Sequence, residues 1–452
     1  MNAIERRASL ALAAIMSVRM LGLFMILPVF SLYAQHLPGV TPTLIGMAIG
    51  VYGLAQALLQ IPLGLLSDRI GRKQVITGGL LLFAAGSVIA ALSHSIEGII
   101  IGRAIQGAGA ISAALMALTA DLTREEQRTQ AMALIGVSIG VSFMLAMVIG
   151  PLLNHWVGVP GIFWFIAACA LLAIAILHLL VPTPVQSRIH SDADTIPAQL
   201  QRVLHNAELL RLNASIFLLH MQLTSLFVVL PLALKETSHL NAGKHWLFYL
   251  PIMIGAFAVM VPLIIVAEKR RKMKPLFIFT VALLMWVQVG FALGHTHLYA
   301  LVLLLFLFFV GFNFLEASLP SLVSKTAPPA SKGTAMGIYN TGQFLGIFLG
   351  GLGGGWLHQH YGMSAVFWGC AGMGLIWLGL VSGMRNPRYL SSHLLNVGEM
   401  DEFTAHQLAQ ELLKIPGVAE AVVIAQEQVA YLKVDKEQLD MDALQKFAAS
   451  AV

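Results

Sequence analysis

Apolar runs of about twenty residues recur from residue 8 to residue 384, each long enough to cross a hydrocarbon layer of roughly 30 Å. Nothing else in the chain restricts its fold so strongly. Lipid offers the backbone no water, so a spanning segment must satisfy its own amides and carbonyls, and continuous Leu, Ile, Val and Phe runs do so as helices. A β-barrel would need short segments of alternating polarity, which is a different texture. Charged residues make up only 11% of the chain, against roughly a quarter in a soluble domain.

The periodicity and breakers predict twelve spans, at 8–33, 43–63, 75–93, 98–120, 130–153, 161–181, 211–235, 245–267, 275–294, 298–323, 334–356 and 363–384. They fall into two sets of six around a polar stretch, 182–210, which holds Arg188, Asp192, Asp194 and Arg202. Part of that stretch, 197–210, is expected to lie as a short helix on the membrane surface. A shift of 204 residues lays Arg128-Thr129-Gln130-Ala131-Met132 over Lys332-Gly333-Thr334-Ala335-Met336, and Phe163-Trp164 over Phe367-Trp368. A gapless repeat of this kind predicts two parallel six-helix bundles about an axis along the membrane normal, with a cavity between them. The expected parts are a first bundle, 1–181; a linker, 182–210; a second bundle, 211–388; and a small soluble domain, 389–452.

The net charge of +5 is explained by its distribution. With the N-terminus inside, the inner loops hold Arg6, Arg7, Arg69, Arg72, Lys73, Arg124, Arg128 and the basic run from Lys269 to Lys274, while the outer loops hold little beyond Lys235 and Lys244. This bias orients a multi-pass membrane protein with both termini cytoplasmic, and it gives no reason to expect a nucleic-acid partner. Residues 1–33 read as an uncleaved first span, too long for a secretory leader. Cys169 and Cys370 both fall inside spans and offer neither a disulfide framework nor metal spacing. His295, His297, His358 and His360 form two pairs at outer loop ends, a poor metal site, so no metal is expected.

Between spans two and three runs Gly64-Leu65-Leu66-Ser67-Asp68-Arg69-Ile70-Gly71-Arg72-Lys73. Gly64 permits close helix approach and Gly71 a backbone conformation denied to bulkier residues. Asp68 is placed to face the positive end of the span-eleven helix dipole near Gly333 and Thr334, a favourable interaction of roughly 0.3–1 kcal/mol. Asp121, ending span four, is within reach of Arg72 and Arg128. The expectation is an inter-helix latch of Asp68, Arg72, Asp121 and Arg128 that holds the cytoplasmic side shut and loosens when Asp68 is neutralised, with Gly64, Arg69 and Gly71 shaping the turn; ordinary topology charges are the competing reading. The second-half counterpart, Glu268-Lys269-Arg270-Arg271-Lys272-Met273-Lys274, keeps its bases but has lost the glycines and the aspartate, so any latch is asymmetric.

The turn at 64–73 closely resembles the cytoplasmic signature of the major facilitator superfamily, and the resemblance extends over 1–388. It implies an all-α membrane fold of twelve helices in two pseudo-symmetric bundles, and transport by alternating access rather than enzymatic chemistry. Arg103-Ala104-Ile105-Gln106-Gly107 in span four resembles the arginine motif of the superfamily's proton antiporters. Span five carries Gly150-Pro151 but departs from the drug antiporters' glycine pattern at Asn154 and His155.

The remaining site candidates are polar residues inside spans, where ionisable groups are costly and usually functional. Glu316 in span ten is the one acid well inside a span and the first candidate proton carrier; a neutral acid bonded to Asn313 or to backbone is the alternative. His220 in span seven is a second candidate, because a histidine is able to titrate near pH 7; a packing residue on an apolar helix is the competing reading. Arg103 either tunes a proton site or clamps a neighbouring backbone. Arg19, about 16 Å into span one at 1.5 Å per residue, is a candidate cavity charge. Gln106, Gln222, Asn313, Tyr339, Asn340 and Gln343 are candidate cavity polars. The leading expectation is proton-driven efflux of small hydrophobic or drug-like compounds. Its alternatives are a symporter or facilitator for a polar nutrient, and a non-transporting receptor signalling through its tail. No ATP-binding loop appears, so no cofactor is expected beyond the proton gradient. The expected partners are the substrate, protons and membrane lipid.

After 387 the texture turns soluble. Strands at 394–397, 421–425 and 429–434, an amphipathic helix at 404–414 and a second helix capped by Asp440 give the order β-α-β-β-α, which resembles a ferredoxin-like domain with a short or missing fourth strand. It lacks the cysteines of metal-carrying relatives, so a regulatory role or a protein or ligand partner is expected.

Overall fold

The computed structural model describes residues 1–183, 199–240, 242–328, 331–386, 391–435 and 438–447. Most of the predicted linker, with Arg188, Asp192 and Asp194, lies outside the described residues.

The first half comprises α1 (Ala3–Phe24), α2 (Leu27–Ala34), α3 (Pro42–Ile70), α4 (Arg72–Leu92), α5 (Ile96–Ala108), α6 (Ser112–Asp121) and α7 (Glu125–Leu180). The second comprises α8 (Leu200–Leu204), α9 (Ala207–Ser238), α10 (Trp246–Lys269), α11 (Met273–Gly294), α12 (Leu298–Thr326), α13 (Lys332–Tyr361) and α14 (Met363–Ser382). Among the described residues ten helical stretches are long and apolar enough to span a membrane. The count of twelve follows because α7 is two spans joined at Gly158, whose φ of 67° breaks the helix, and because α13 is the glycine-rich eleventh.

Local chemistry sets the ends. Asn2 and Glu5 form a capping box on α1, Thr41 caps α3 ahead of Pro42, and Asn206 caps α9. Two spans are discontinuous where the sequence reads as one run. Span one breaks between α1 and α2 just ahead of Pro28. Span four breaks between α5 and α6 at Gly109, against which the backbone of Gly79 packs too closely for any side chain. The predicted surface helix at 197–210 resolves into the short α8 and the start of α9.

The face at which α1 begins and α3 ends is the terminal face. The contacts that bridge the two halves lie toward the opposite face. There a methyl on Gly46 would overlap the carbonyl of Gly351, and one on Gly50 would lie 2.7 Å from that of Phe348. Gly355 packs equally closely on Pro42, and the Thr43 amide donates to Gln359 Oε1 at 3.3 Å. Ser31 on α2 donates to the carbonyl of Phe227 on α9 at 3.2 Å. Nearer the middle, Phe143 on α7 meets Phe312 on α12 with centroids 5.4 Å apart.

The tail has its own core, including Leu395, Leu412, Val418, Leu432 and Leu444. Strands β1 (Ser391–Asn396), β2 (Val418–Ile424) and β3 (Val429–Val434) form an antiparallel sheet in the order β1-β3-β2, joined by α15 (Glu402–Leu412) and followed by α16 (Met441–Gln445). Asp401 caps α15 by accepting from the Thr404 amide at 2.8 Å, and its bonds to Thr404 hold its carboxyl below the usual aspartate range. Asp440 caps α16 in the same way, accepting from the Ala443 amide at 3.0 Å.

Candidate functional site

Three polar groupings form inside or at the end of the helical bundles. In the second half, His220 on α9 lies with its Nε2 3.8 Å from Glu316 Oε2 on α12 and 2.8 Å from the amide nitrogen of Gln343 on α13. Phe312 packs on the imidazole at 5.6 Å. His220 is buried and the Glu316 side chain is 27% exposed. Glu316 Oε2, Asn313 Nδ2 and the Tyr339 hydroxyl find no hydrogen-bond partner among the described residues. The two titratable candidates read from different spans are thus brought together. Glu316 bonds neither Asn313 nor backbone, the alternative raised from sequence. Asn340, also on α13, is half-buried. Gln222 is buried and donates to the carbonyl of Cys370 within the second half at 3.3 Å, so it is spent on packing α9 against α14.

In the first half a second network surrounds Tyr52. Arg19 donates to Ser112 Oγ at 2.6 Å and to the Tyr52 hydroxyl at 3.3 Å. Gln56, one turn beyond Tyr52, reaches that hydroxyl at 3.4 Å and the carbonyl of Gly107 at 2.8 Å. Arg103 sits over the Tyr52 ring, 4.9 Å from its centre, and donates to Gln106 Oε1 at 2.6 Å and to the carbonyl of Gly22 at 3.4 Å. Gln106 passes the network on to Ser87 at 2.8 Å. Arg19, Arg103 and Gln106 are fully buried. Arg19 and Gln106, expected to line an open cavity, are instead packed among α1, α3, α4, α5 and α6, where Ser112, the first residue of α6, accepts from Arg19 and Ser87 of α4 accepts from Gln106. The bond to Gly22 makes Arg103 a clamp on the α1 backbone. Neither arginine meets a carboxylate among the described residues. Tyr52, Ser112, Gln56 and Ser87 escaped the sequence reading; their one signal was polarity within an apolar run.

The third grouping is at the terminal face. Gly71 has φ 104° and is the single residue between α3 and α4. Gly64 faces span four: a Cβ there would lie 3.0 Å from that of Ala113. Arg72 pairs with Asp68 and lies 3.4 Å from Asp121 Oδ2; it also donates to Ser67 Oγ at 2.8 Å. Arg72 and Asp121 are 2% and 0% exposed. Arg128 is buried on the first turn of α7, and Arg69 is exposed. One expectation needs correction. Asp68 pairs with Arg72 and with no group of α13, so in this conformation it does not sit against the start of the eleventh span. The i, i+4 spacing across the turn gives Asp68 a cation close at hand, a stronger partner than a distant helix dipole.

No group of three or more His, Cys, Asp or Glu among the described residues is placed to hold a metal ion.

Comparison with known proteins follows this geometry. The family model of the Major Facilitator Superfamily matches residues 12–351 and 317–416, and that of the YajR YAM domain matches 401–447. The chain is 47% identical over 438 residues to the inner membrane transport protein YajR of Escherichia coli K12, covering 96% of this chain and 95% of that protein. It is 28% identical to the multidrug resistance protein MdtH of Aeromonas hydrophila, over 77% of this chain and 87% of that one. Among solved structures it is similar to a bacterial homologue of the human lysosomal transporter Spinster, in an inward-facing and occupied conformation. That likeness, with TM-score 0.70, 12% identity, and 84% and 97% coverage, speaks to the fold.

Proposed function

We propose that this chain, which belongs to the major facilitator superfamily, is a multi-pass inner-membrane transporter that uses inward proton flow to export a small hydrophobic or drug-like compound. The observation that carries the proton-coupled reading is the meeting of His220, Glu316 and Gln343 from three helices of one half. A carboxyl and an imidazole at this separation can pass a proton between them with a small side-chain movement. Partial exposure of Glu316 gives the proton a way in, and burial of His220 ties its charge state to the packing around it. The likeness to MdtH, named a multidrug resistance protein, supports the efflux direction.

Alternation follows from the two faces. In the conformation described, the halves are bridged toward the face opposite the termini, while Asp68, Arg72 and Asp121 close a ring within the first half. In our reading the terminal face is cytoplasmic and is the open side here. Rocking would bring the Asp68 turn toward the start of α13, where the helix dipole adds to the latch.

A polar substrate is the second reading. Two guanidiniums about Tyr52 that meet no carboxylate among the described residues favour a compound, or a coupled ion, of negative charge in a conformation that exposes them, since both are fully buried here.

The test is flux in proteoliposomes carrying a pH-sensitive dye, with a ligand first chosen by thermal shift from lipophilic cations and organic anions. Lumen alkalinisation on substrate addition supports antiport and its reverse supports symport. Glu316→Gln should reduce proton-driven flux to the level of protein-free vesicles while leaving ligand stabilisation intact. Retained pH-coupled flux in that variant would remove Glu316 as carrier.

A further inference from the structure

The turn from α10 to α11 occupies the same place in the second half as the latch turn in the first, and it lacks the same parts. Where the first half uses Gly71 at φ 104°, the second places Arg271 at φ 52°, a left-handed conformation that a long side chain adopts reluctantly. Where the first half supplies Asp68 and Asp121, the second has Glu268, which is taken by Lys325 at 2.7 Å. Lys325 itself stands 204 residues on from Asp121, so a base has replaced the acid that ends span four.

The missing acid arrives from the tail. Asp435, just beyond β3, lies 3.8 Å from the Arg271 guanidinium. Two residues back along the chain, Lys433 is only 3% exposed, although it belongs to a strand of a small soluble domain. Its ammonium donates to the carbonyl of Lys325 at 2.8 Å and to that of Ala327, and pairs with Glu420 of β2 at 3.6 Å. Lys325 lies in the last turn of α12 and Ala327 is its C-cap. The end of a helix leaves four carbonyls without intrahelical donors and carries the negative end of the dipole, so a buried ammonium there both satisfies acceptors and neutralises charge.

We propose that the C-terminal domain is the second half's terminal-face clamp. The central strand of its sheet grips α12 through Lys433 and, just past the end of that strand, the α10–α11 turn through Asp435, standing in for the acid and glycine that this turn lacks. Because α12 also carries Asn313 and Glu316, undocking the domain frees the helix that holds the acidic member of the polar cluster. The clamp depends on these contacts and holds whether or not Glu316 carries a proton.

Hydrogen exchange on the full-length protein in lipid nanodiscs tests it. In Lys433→Met, peptides covering the end of α12 and the α10–α11 turn should exchange several-fold faster, while those of α15 and β2 stay as protected as before. Unchanged exchange at the end of α12, with the tail still folded, overturns the clamp. Should Lys433→Met unfold the tail, Arg271→Gly and Asp435→Asn decide the matter. The glycine relaxes the turn and removes the tail's partner without touching the tail. Each single change should raise exchange at the turn, and the double variant should add nothing to either. Additive effects, or none, would overturn the proposal.

Discussion

The two terminal-face turns hold equivalent positions and solve the same problem with opposite chemistry. The first buries one arginine between two acids on a glycine that turns freely. The second exposes its charges, with Glu268 and Lys325 at 35% and 28%, reverses the sign at the end of the span, and forces an arginine into the turn. The first turn is self-contained. The second reaches outside its bundle for a partner, and a domain is docked where that partner is needed. Pseudo-symmetry of the helices therefore does not extend to what restrains them.

The comparison breaks most readily at Asp121. Asp121→Asn takes one of two carboxylates from the buried Arg72, which keeps Asp68, and should lower thermal stability in detergent by about 3 kcal/mol, the upper end for a charged hydrogen bond lost from the interior. A loss no larger than that of the second-half pair would show the two turns to be equivalent. Next comes the seam at the opposite face. Gly46→Val sets a side chain against the Gly351 carbonyl and should cost about 1–3 kcal/mol by overpacking. Cysteines placed between the halves at that face should then label faster from that side, and unchanged labelling would show that the seam does not close the path. The smallest effect is expected at Glu268→Gln. An exposed pair contributes under about 1 kcal/mol, and even that should fade at high salt. A larger, salt-insensitive loss would mean that the second turn is as integral as the first.

The span count was legible because each crossing has to be written in some twenty residues, whatever it packs against. Discontinuities were not. The breaks after Phe24 and Ala108 lie within apolar runs, and only packing around Gly109 fixes the second of them. Charged residues in spans stood out, so Arg19, Arg103, His220 and Glu316 were readable as candidates. Their partners were not, because the hydrogen bond from Arg19 to Ser112 joins residues 93 apart in the chain. Asp68 was given a helix dipole as its partner when a nearer cation was available. Nothing local marks Lys433, a side chain whose acceptors lie on another domain. The tail's strands and caps were readable, because alternation and N-capping are local signals.

The single residue between α3 and α4 has a mechanical consequence. α3 is gripped by α13 from its start to about Gly53, and its far end at Ile70 lies roughly 25 Å beyond that grip at 1.5 Å per residue. Such a rod is a lever: a tilt of about 10° at the glycine fulcrum sweeps its tip by about 4 Å. Only Gly71 joins the tip to α4, so the next helix is towed along, and a slip too small to open the fulcrum is enough to remake contacts at the other side of the bilayer.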